Sequence, residues 1–341
     1  MRWAVLLAGG SGSRFWPLST PAHPKQLLPL AGPRSTAQEA LDRLAGLIEP
    51  DHVLVVTGEA LARPLREALD LPAANILVEP RAASTGPALL WATLEAHRRD
   101  PDAEVLSLHA DWTIGDAEGF RRTAALALES ARRHDRLVTV GMVPARPETG
   151  YGYIVPGPEL DQTARRVARF VEKPDAARAL DLIAAGALWN SGLFAWTAER
   201  LRAEVVRHTP ELSTALAALE AGDVPRFFAS VTPISIDVGV LERSNAVAVV
   251  SGAFRWDDVG TWEALARVRQ RDDAGNVFVG GVHSLRTSDC IAWSDDEPIL
   301  LFGVRDLVVV RANGRILVMS RAESARLKEA LDVLPPEVRD V

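Results

Sequence analysis

Cysteine is nearly absent from this chain of 341 residues, where Cys290 stands alone. A single thiol excludes an internal disulfide framework and any cysteine-based zinc cluster, and it fits a reducing compartment. Cys290 is expected as a small buried hydrophobe. No stretch of about 18 uncharged apolar residues occurs, so no membrane-spanning helix is expected. No basic start followed by an apolar signal core precedes the first apolar run, and the protein is expected in the cytoplasm. Basic runs are missing as well. The 38 Lys and Arg residues stand against 45 Asp and Glu, a formal net charge of −7, which argues against a general nucleic-acid surface and makes any phosphate binding local. Heptads, low-complexity tracts and convincing internal repeats are also lacking. The composition, 48% hydrophobic and 24% charged, is that of a globular protein long enough for one large domain with an appendage, or for two domains.

What is present begins with Trp3-Ala4-Val5-Leu6-Leu7, a continuous apolar run of the type buried on both faces of a parallel sheet. It leads into Ala8-Gly9-Gly10-Ser11-Gly12-Ser13-Arg14-Phe15-Trp16-Pro17-Leu18-Ser19, with Pro24-Lys25-Gln26 shortly after. Open α/β sheets bind ligands outside the carboxyl ends of their strands. Closely spaced glycines there let backbone N–H groups approach phosphate oxygens without Cβ interference, and Arg14 and Lys25 add two positive charges. A P-loop places Gly-Lys-Ser/Thr directly before a helix, and a dinucleotide fingerprint leads straight into one. Here Pro17, Pro21 and Pro24 forbid a helix.

The pattern then alternates: helix after Ser35-Thr36, strand 52–57, helix 60–69, strand 75–78, helix 87–98, strand 105–108, helix 117–134, strand 137–141. Such alternation gives a mainly parallel sheet with helices on both faces. Beyond Gly141 it breaks, and residues 147–154 and 165–173 read as extended segments able to form a lobe. A helical region follows over 198–230, then a strand at 247–250 and a helix from about Thr261. From about residue 274 the texture changes to short strands at 277–279, 290–293, 299–302, 307–310 and 316–319, closed by a helix over 322–334. The expected fold is therefore α/β, a Rossmann-like domain over 1–270 plus a small β-rich domain over 274–341.

Several short motifs carry candidate chemistry. Asp111 ends a buried strand and Asp258 precedes a helix; each is a metal-ligand candidate, and each reads equally as a cap or turn residue. Phe170-Val171-Glu172-Lys173-Pro174 sets an acid and a lysine at a strand end. Trp189-Asn190-Ser191-Gly192-Leu193-Phe194 offers an amide, a hydroxyl and a glycine. Glu79-Pro80 through Pro87-Ala88 joins a strand to a helix, with Pro87 suited to the first helical turn.

Together these motifs resemble the sugar-nucleotide pyrophosphorylases, the nucleotidyltransferases that join a sugar 1-phosphate to a nucleoside triphosphate. The form with Trp16-Pro17-Leu18-Ser19 and Pro24-Lys25-Gln26-Leu27 is most similar to mannose-1-phosphate guanylyltransferases. The resemblance covers nearly the whole chain and is strongest through residue 262. It implies nucleotide binding by Ala8, Gly9, Gly10, Gly12, Ser13, Arg14, Lys25, Glu79, Thr85 and Pro87. It implies sugar-phosphate binding by Gly150, Glu172, Lys173, Asn190 and Gly192, and a Mg2+ ion on Asp111 and Asp258, with Arg14, Lys25 and Lys173 as the catalytic cations. GTP and mannose 1-phosphate are the implied substrates, with no nucleic acid or membrane partner, and a homodimer is compatible with it. The sequence departs from the family pattern at Ala83 and Ser84, where Arg and Asn are usual, and at His109 and Trp112 around Asp111. Alternatives are a pyrophosphorylase for another pair, such as a glucose 1-phosphate thymidylyltransferase, or a non-catalytic sugar-nucleotide sensor.

Overall fold

Five consecutive side chains, Trp3 to Leu7, are buried in β1 (Arg2–Leu7), which is possible only for a strand covered on both faces. The computed structural model describes residues 1–10, 12–21 and 23–339; Ser11, inside the glycine loop, lies outside them. The chain divides into two compact units. The first comprises Met1–Gly9, Ala40–Ala110 and Asp116–Trp256, and the second Gly10–Glu39, Asp111–Gly115 and Asp257–Val341. The β-rich C-terminal segment thus shares a unit with the glycine loop.

Along the chain, α1 (Thr36–Leu44) is followed by β2 (Val53–Gly58), α2 (Glu59–Ala68), β3 (Ile76–Glu79), α3 (Thr85–Arg99), β4 (Glu104–His109) and the short β5 (Thr113–Ile114). Helix α1 opens on a capping box: Ser35 Oγ accepts from Gln38 N at 3.3 Å while Gln38 Oε1 accepts from Ser35 N at 3.2 Å. Next come α4 (Ala117–His134), β6 (Leu137–Met142), β7 (Tyr153–Glu159), β8 (Ala164–Val171), α5 (Ala176–Ala184) and β9 (Leu188–Thr197). Four helices, α6 (Ala198–His208), α7 (Pro210–Ser213), α8 (Leu216–Glu220) and α9 (Val224–Ser230), precede β10 (Val247–Ser251).

The sheet of the first unit has the order β3-β2-β1-β4-β9-β6-β10-β8-β7. Strands β8 and β9 run against the other seven, so the sheet is mainly parallel, as the alternation implies. Two features go beyond the sequence reading. Residues 188–197, to which it assigns no element, form a central strand in which Ser191 donates to Val140 O at 2.7 Å. The extended segments at 153–159 and 164–171 continue this same sheet at its edge, and β7 pairs with β9 as well as with β8.

In the second unit, β11 (Trp256–Asp257) leads out of the first, and α10 (Trp262–Val268) precedes β12 (Val277–Leu285), β13 (Ile291–Phe302), β14 (Leu307–Ala312) and β15 (Arg315–Ser320). Strands β12, β13 and β14 are mutually parallel, with β15 antiparallel on β14. The parallel strands are joined by short turns rather than helical crossovers, so the chain coils. Left-handed residues Arg286, Asp289, Gly303 and Asp306 make the corners. Gly280, at φ 78°, lies so close to β13 that a Cβ there would meet Ser294 O at 1.8 Å. The separate apolar runs at 290–293 and 299–302 belong to one long strand, β13. Cys290 is buried and free, as its isolation predicts.

Candidate active site

The glycine loop is shaped by two left-handed glycines, Gly10 at φ 95° and Gly12 at φ 60°. Gly12 is required twice over, since a Cβ would fall 2.5 Å from Lys25 Cβ and 2.7 Å from Ser19 Oγ. Behind the loop, Phe15, Trp16, Leu18, Leu28 and Leu30 enter one buried cluster with Trp262, Trp293, Val308 and Leu331. The loop's backbone carbonyls are answered from the C-terminal segment. Trp262 Nε1 donates to Trp16 O at 3.2 Å, Asn313 Nδ2 to Pro17 O at 2.9 Å, and Arg269 Nη2 to Pro29 O at 2.6 Å. The β-rich segment therefore fixes the shape of the loop that carries Arg14 and Lys25.

Lys25 is only 5% exposed, and a buried ammonium needs partners. Its Nζ donates to Asp111 Oδ2 at 2.8 Å and to Asp258 O at 3.1 Å, and lies 5.7 Å from the Phe15 ring centroid. Gln26 Nε2 reaches back to Gly10 O at 3.4 Å, tying the loop to the lysine turn. Asp258 stands in a strained turn. Val259, fully buried and β-branched, has φ 43°, a conformation that persists only when its surroundings impose it. Asp257 does so, accepting from Val259 N at 2.9 Å and from Arg267 Nε and Nη2 at 2.6 and 2.9 Å. Gly260 leaves room for the carboxylate, because a Cβ there would lie 2.8 Å from Asp258 Oδ2 and 3.6 Å from Arg14 Nη1. Arg14 itself is exposed.

Lys25, Asp111, Asp258 and Arg14 are thus brought together from three segments of the sequence. Neither acid is a helix cap: Asp116 caps α4 by accepting from Gly119 N at 2.9 Å, and Thr261 is the N-cap residue of α10. Among the described residues no group of three His, Cys, Asp or Glu could hold a metal ion. The oxygen donors of Asp111 and Asp258, with the space that Gly260 preserves, suit a hard cation that takes its remaining ligands from phosphates and water.

A second polar cluster lies in the first unit. Glu172 and Lys173 follow β8, with Lys173 Nζ 3.0 Å from Glu172 Oε1 and Lys173 itself left-handed at φ 45°. The glycine that makes space for Glu172 is Gly152, where a Cβ would lie 2.7 Å from Glu172 Oε2; Gly150 N instead donates to Glu148 Oε1 at 3.2 Å. Asn190 Oδ1 accepts from Thr139 Oγ1 at 2.9 Å and from Gly192 N at 3.2 Å, and its Nδ2 donates to Asp237 Oδ1 at 2.8 Å. Gly192 is left-handed at φ 77°. Burial and then the charge of Glu172 push the Asp237 carboxyl up to about 6. Sequence reasoning missed Gly152 and Asp237; an acid set between Ile236 and Val238 was the available signal for the latter.

The 79–88 stretch also belongs to the first unit. Glu79 Oε1 is buried without a hydrogen-bond partner, and burial pushes its carboxyl up to about 7. Ser84 has φ 69° with ψ −179°, a region that is essentially reserved for glycine. Thr85 Oγ1 accepts from Ile236 N at 3.0 Å and Gly86 N donates to Ile234 O at 3.0 Å, so this helix start fastens residues 234–236. Pro87 is buried in the first turn of α3, and Ala83 belongs to the core. Ala8 has both backbone groups engaged, donating to Val56 O at 2.9 Å and accepting from Thr57 Oγ1 at 2.9 Å. Gly9 and Gly10 are exposed at the strand end, and Ser13 begins a single 3-10 turn.

Comparison with known proteins identifies the family. The sequence pattern of the nucleotidyl transferase family matches residues 3–274. A mannose-1-phosphate guanylyltransferase of Klebsiella pneumoniae is 37% identical over 98% of this chain and 74% of its own length, and one of Escherichia coli gives the same figures. A crystal structure described as a mannose-1-phosphate geranyltransferase from Thermus thermophilus superimposes with a TM-score of 0.92 at 36% identity, covering 97% of this chain and 98% of that one. No described helix is long and apolar enough to cross a membrane. The chain belongs to the nucleotidyl transferase family.

Proposed function

We propose that this protein transfers GMP from GTP to mannose 1-phosphate, giving GDP-mannose and pyrophosphate. The observation that carries the reading is the buried Lys25, held between Asp111 and Asp258 beside the glycine loop, in a chain similar over nearly its whole length to mannose-1-phosphate guanylyltransferases. A phosphate oxygen of mannose 1-phosphate attacks the α-phosphorus of GTP, the bond from that phosphorus to the bridging oxygen breaks, and pyrophosphate leaves. No covalent enzyme intermediate is needed. The task is to position two polyanions and neutralise the charge that moves between them, work for fixed cations and backbone amides.

In this reading the exposed Gly9 and Gly10, with Gly12, Ser13 and Arg14, hold the triphosphate, and Lys25 neutralises charge on it during transfer. Asp111 and Asp258 would hold Mg2+, which when bound draws charge off the phosphate oxygens. Lys173 meets the phosphate of mannose 1-phosphate, while Glu172 meets the sugar. Glu79 faces the base side of the nucleotide, and Thr85 supports that side by fastening residues 234–236 rather than by contacting the base. We further assign the transferase machinery to residues 1–270, with the β-rich segment 274–341 packed into the same compact unit as the glycine loop, and expect a cytoplasmic protein able to form a homodimer.

The test is steady-state turnover across a panel of nucleotides and sugar 1-phosphates, read as pyrophosphate release. GTP with mannose 1-phosphate should give the highest kcat/KM. A clearly higher value for dTTP or UTP with glucose 1-phosphate would overturn the substrate assignment, and no turnover with any pair would favour a sensor.

A further inference from the structure

We propose that Asp237 is a sugar-binding residue, its carboxylate accepting hydroxyl hydrogens of the hexose ring beside Glu172, and that Asn190 serves chiefly to position it. The inference rests on the Glu172–Lys173 cluster being the sugar-phosphate site.

Asn190 has little left to offer a ligand. Its Oδ1 already accepts two hydrogen bonds, from Thr139 Oγ1 and Gly192 N, and its Nδ2 gives one hydrogen to Asp237 Oδ1. That uses both acceptor positions and one of two donor hydrogens. Two donors converging on one atom and a carboxylate facing the other also fix which is oxygen and which is nitrogen. Asp237 is the reverse case. A carboxylate has about four acceptor positions; Asn190 Nδ2 takes one and the residue's own backbone N–H another, which leaves about two.

The turn that carries Asp237 is held from several sides. Residues 234–236 are fastened to the start of α3 through Thr85 and Gly86. Thr209 Oγ1 donates to Gly239 O at 2.6 Å, and the turn Asp237–Leu241 is a single π-helical turn, a feature frequent at functional sites. The residue is not fully buried. Glu172 and Lys173 both act on it through space, one raising and the other lowering its carboxyl, and Glu172 acts likewise on Glu242. Two carboxylates next to one lysine complement a molecule with several hydroxyl donors and one phosphate. For a purely structural pairing with Asn190 the second carboxylate oxygen would be superfluous, since an amide oxygen could accept the same bond.

That difference defines the experiment. Asp237→Asn preserves an acceptor for Asn190 while reducing the acceptors open to the sugar, whereas Asp237→Ala removes both. Calorimetry on the full chain measures GDP-mannose against GDP, so the ratio of affinities isolates the sugar without requiring turnover. The wild type should bind GDP-mannose more tightly than GDP, and Asp237→Asn should lose at least about tenfold of that ratio while its GDP affinity and melting temperature stay unchanged, the scale of one charge-assisted hydrogen bond. An Asp237→Asn protein with the wild-type ratio, or equal loss of affinity for both ligands, would overturn the proposal. Wild-type turnover is measured in parallel: its absence would sink the transferase reading, whereas normal turnover with an unchanged ratio in Asp237→Asn would sink only the role of Asp237.

Discussion

Replacing Gly12 by Ala tests how the loop holds its lysine. The new methyl carbon would arrive 2.5 Å from Lys25 Cβ and 2.7 Å from Ser19 Oγ, on a backbone whose φ of 60° already disfavours any side chain. The left-handed conformation costs an alanine about 1 kcal/mol, and overpacking of a tight contact adds about 1–3 kcal/mol. Relief is hard to find, because Lys25 is tethered at its far end to Asp111 and to the Asp258 carbonyl. Gly186 supplies the control. It has φ 77° with nothing within 4 Å of a Cβ, so Gly186→Ala should cost the backbone term alone, about 1 kcal/mol. By calorimetry, Gly12→Ala should lower the melting temperature about two to four times as far as Gly186→Ala. Displacing Lys25 by even an ångström should also lower kcat/KM on the order of a hundredfold, which the control should not. Equal melting shifts and equal activities for the two variants would refute the claim that Gly12 sets the position of Lys25.

Other changes address the remaining parts of the site. Lys25→Ala should reduce kcat/KM by more than about tenfold; unchanged kinetics would leave Lys25 a structural partner of Asp111. Asp111→Asn and Asp258→Asn should each lower kcat and raise the magnesium concentration needed, with the double variant little worse than the poorer single, because groups acting on one ion are not additive. Additive losses with an unaltered magnesium requirement would separate the two acids. Glu79, raised from 4.5 to about 7 by burial, holds its proton more tightly in the folded protein than in the unfolded chain. Its contribution to stability is therefore full at acid pH and declines as pH rises from about 4.5 to about 7. Glu79→Gln should accordingly stabilise the fold at pH 8, by on the order of 1–2 kcal/mol once solvent screening of this partly exposed group is discounted, read as a raised melting temperature, and have little effect at pH 4; destabilisation at pH 8 would show that the carboxylate has a partner when ionised.

Much of this was legible in the residues themselves. The βα alternation through residue 142 follows from apolar runs and periodicity, and the strand, glycines and prolines at the start announce a loop that cannot become a helix. Lysine is so rare here, with only Lys25, Lys173 and Lys328 in the chain, that two of the three fall in the two polar clusters. Strand β9 was hidden because its buried Ser191 and left-handed Gly192 read as turn chemistry. The make-up of the second unit was invisible for another reason. Pro17 and Asn313 are 296 positions apart, and no local pattern reports that a late segment answers the carbonyls of an early loop. Asp237 escaped because its role depends on Asn190, a partner 47 residues away.

The most direct measurement of the proposed chemistry follows the α-phosphate of GTP. Incubation with mannose 1-phosphate and magnesium should carry an α-phosphorus label into GDP-mannose, while a label at the γ-position appears only in pyrophosphate. Recovery of the α-label as free GMP or GDP, or movement of the γ-label onto the sugar, would contradict transfer of a guanylyl group and require a different reaction at this site.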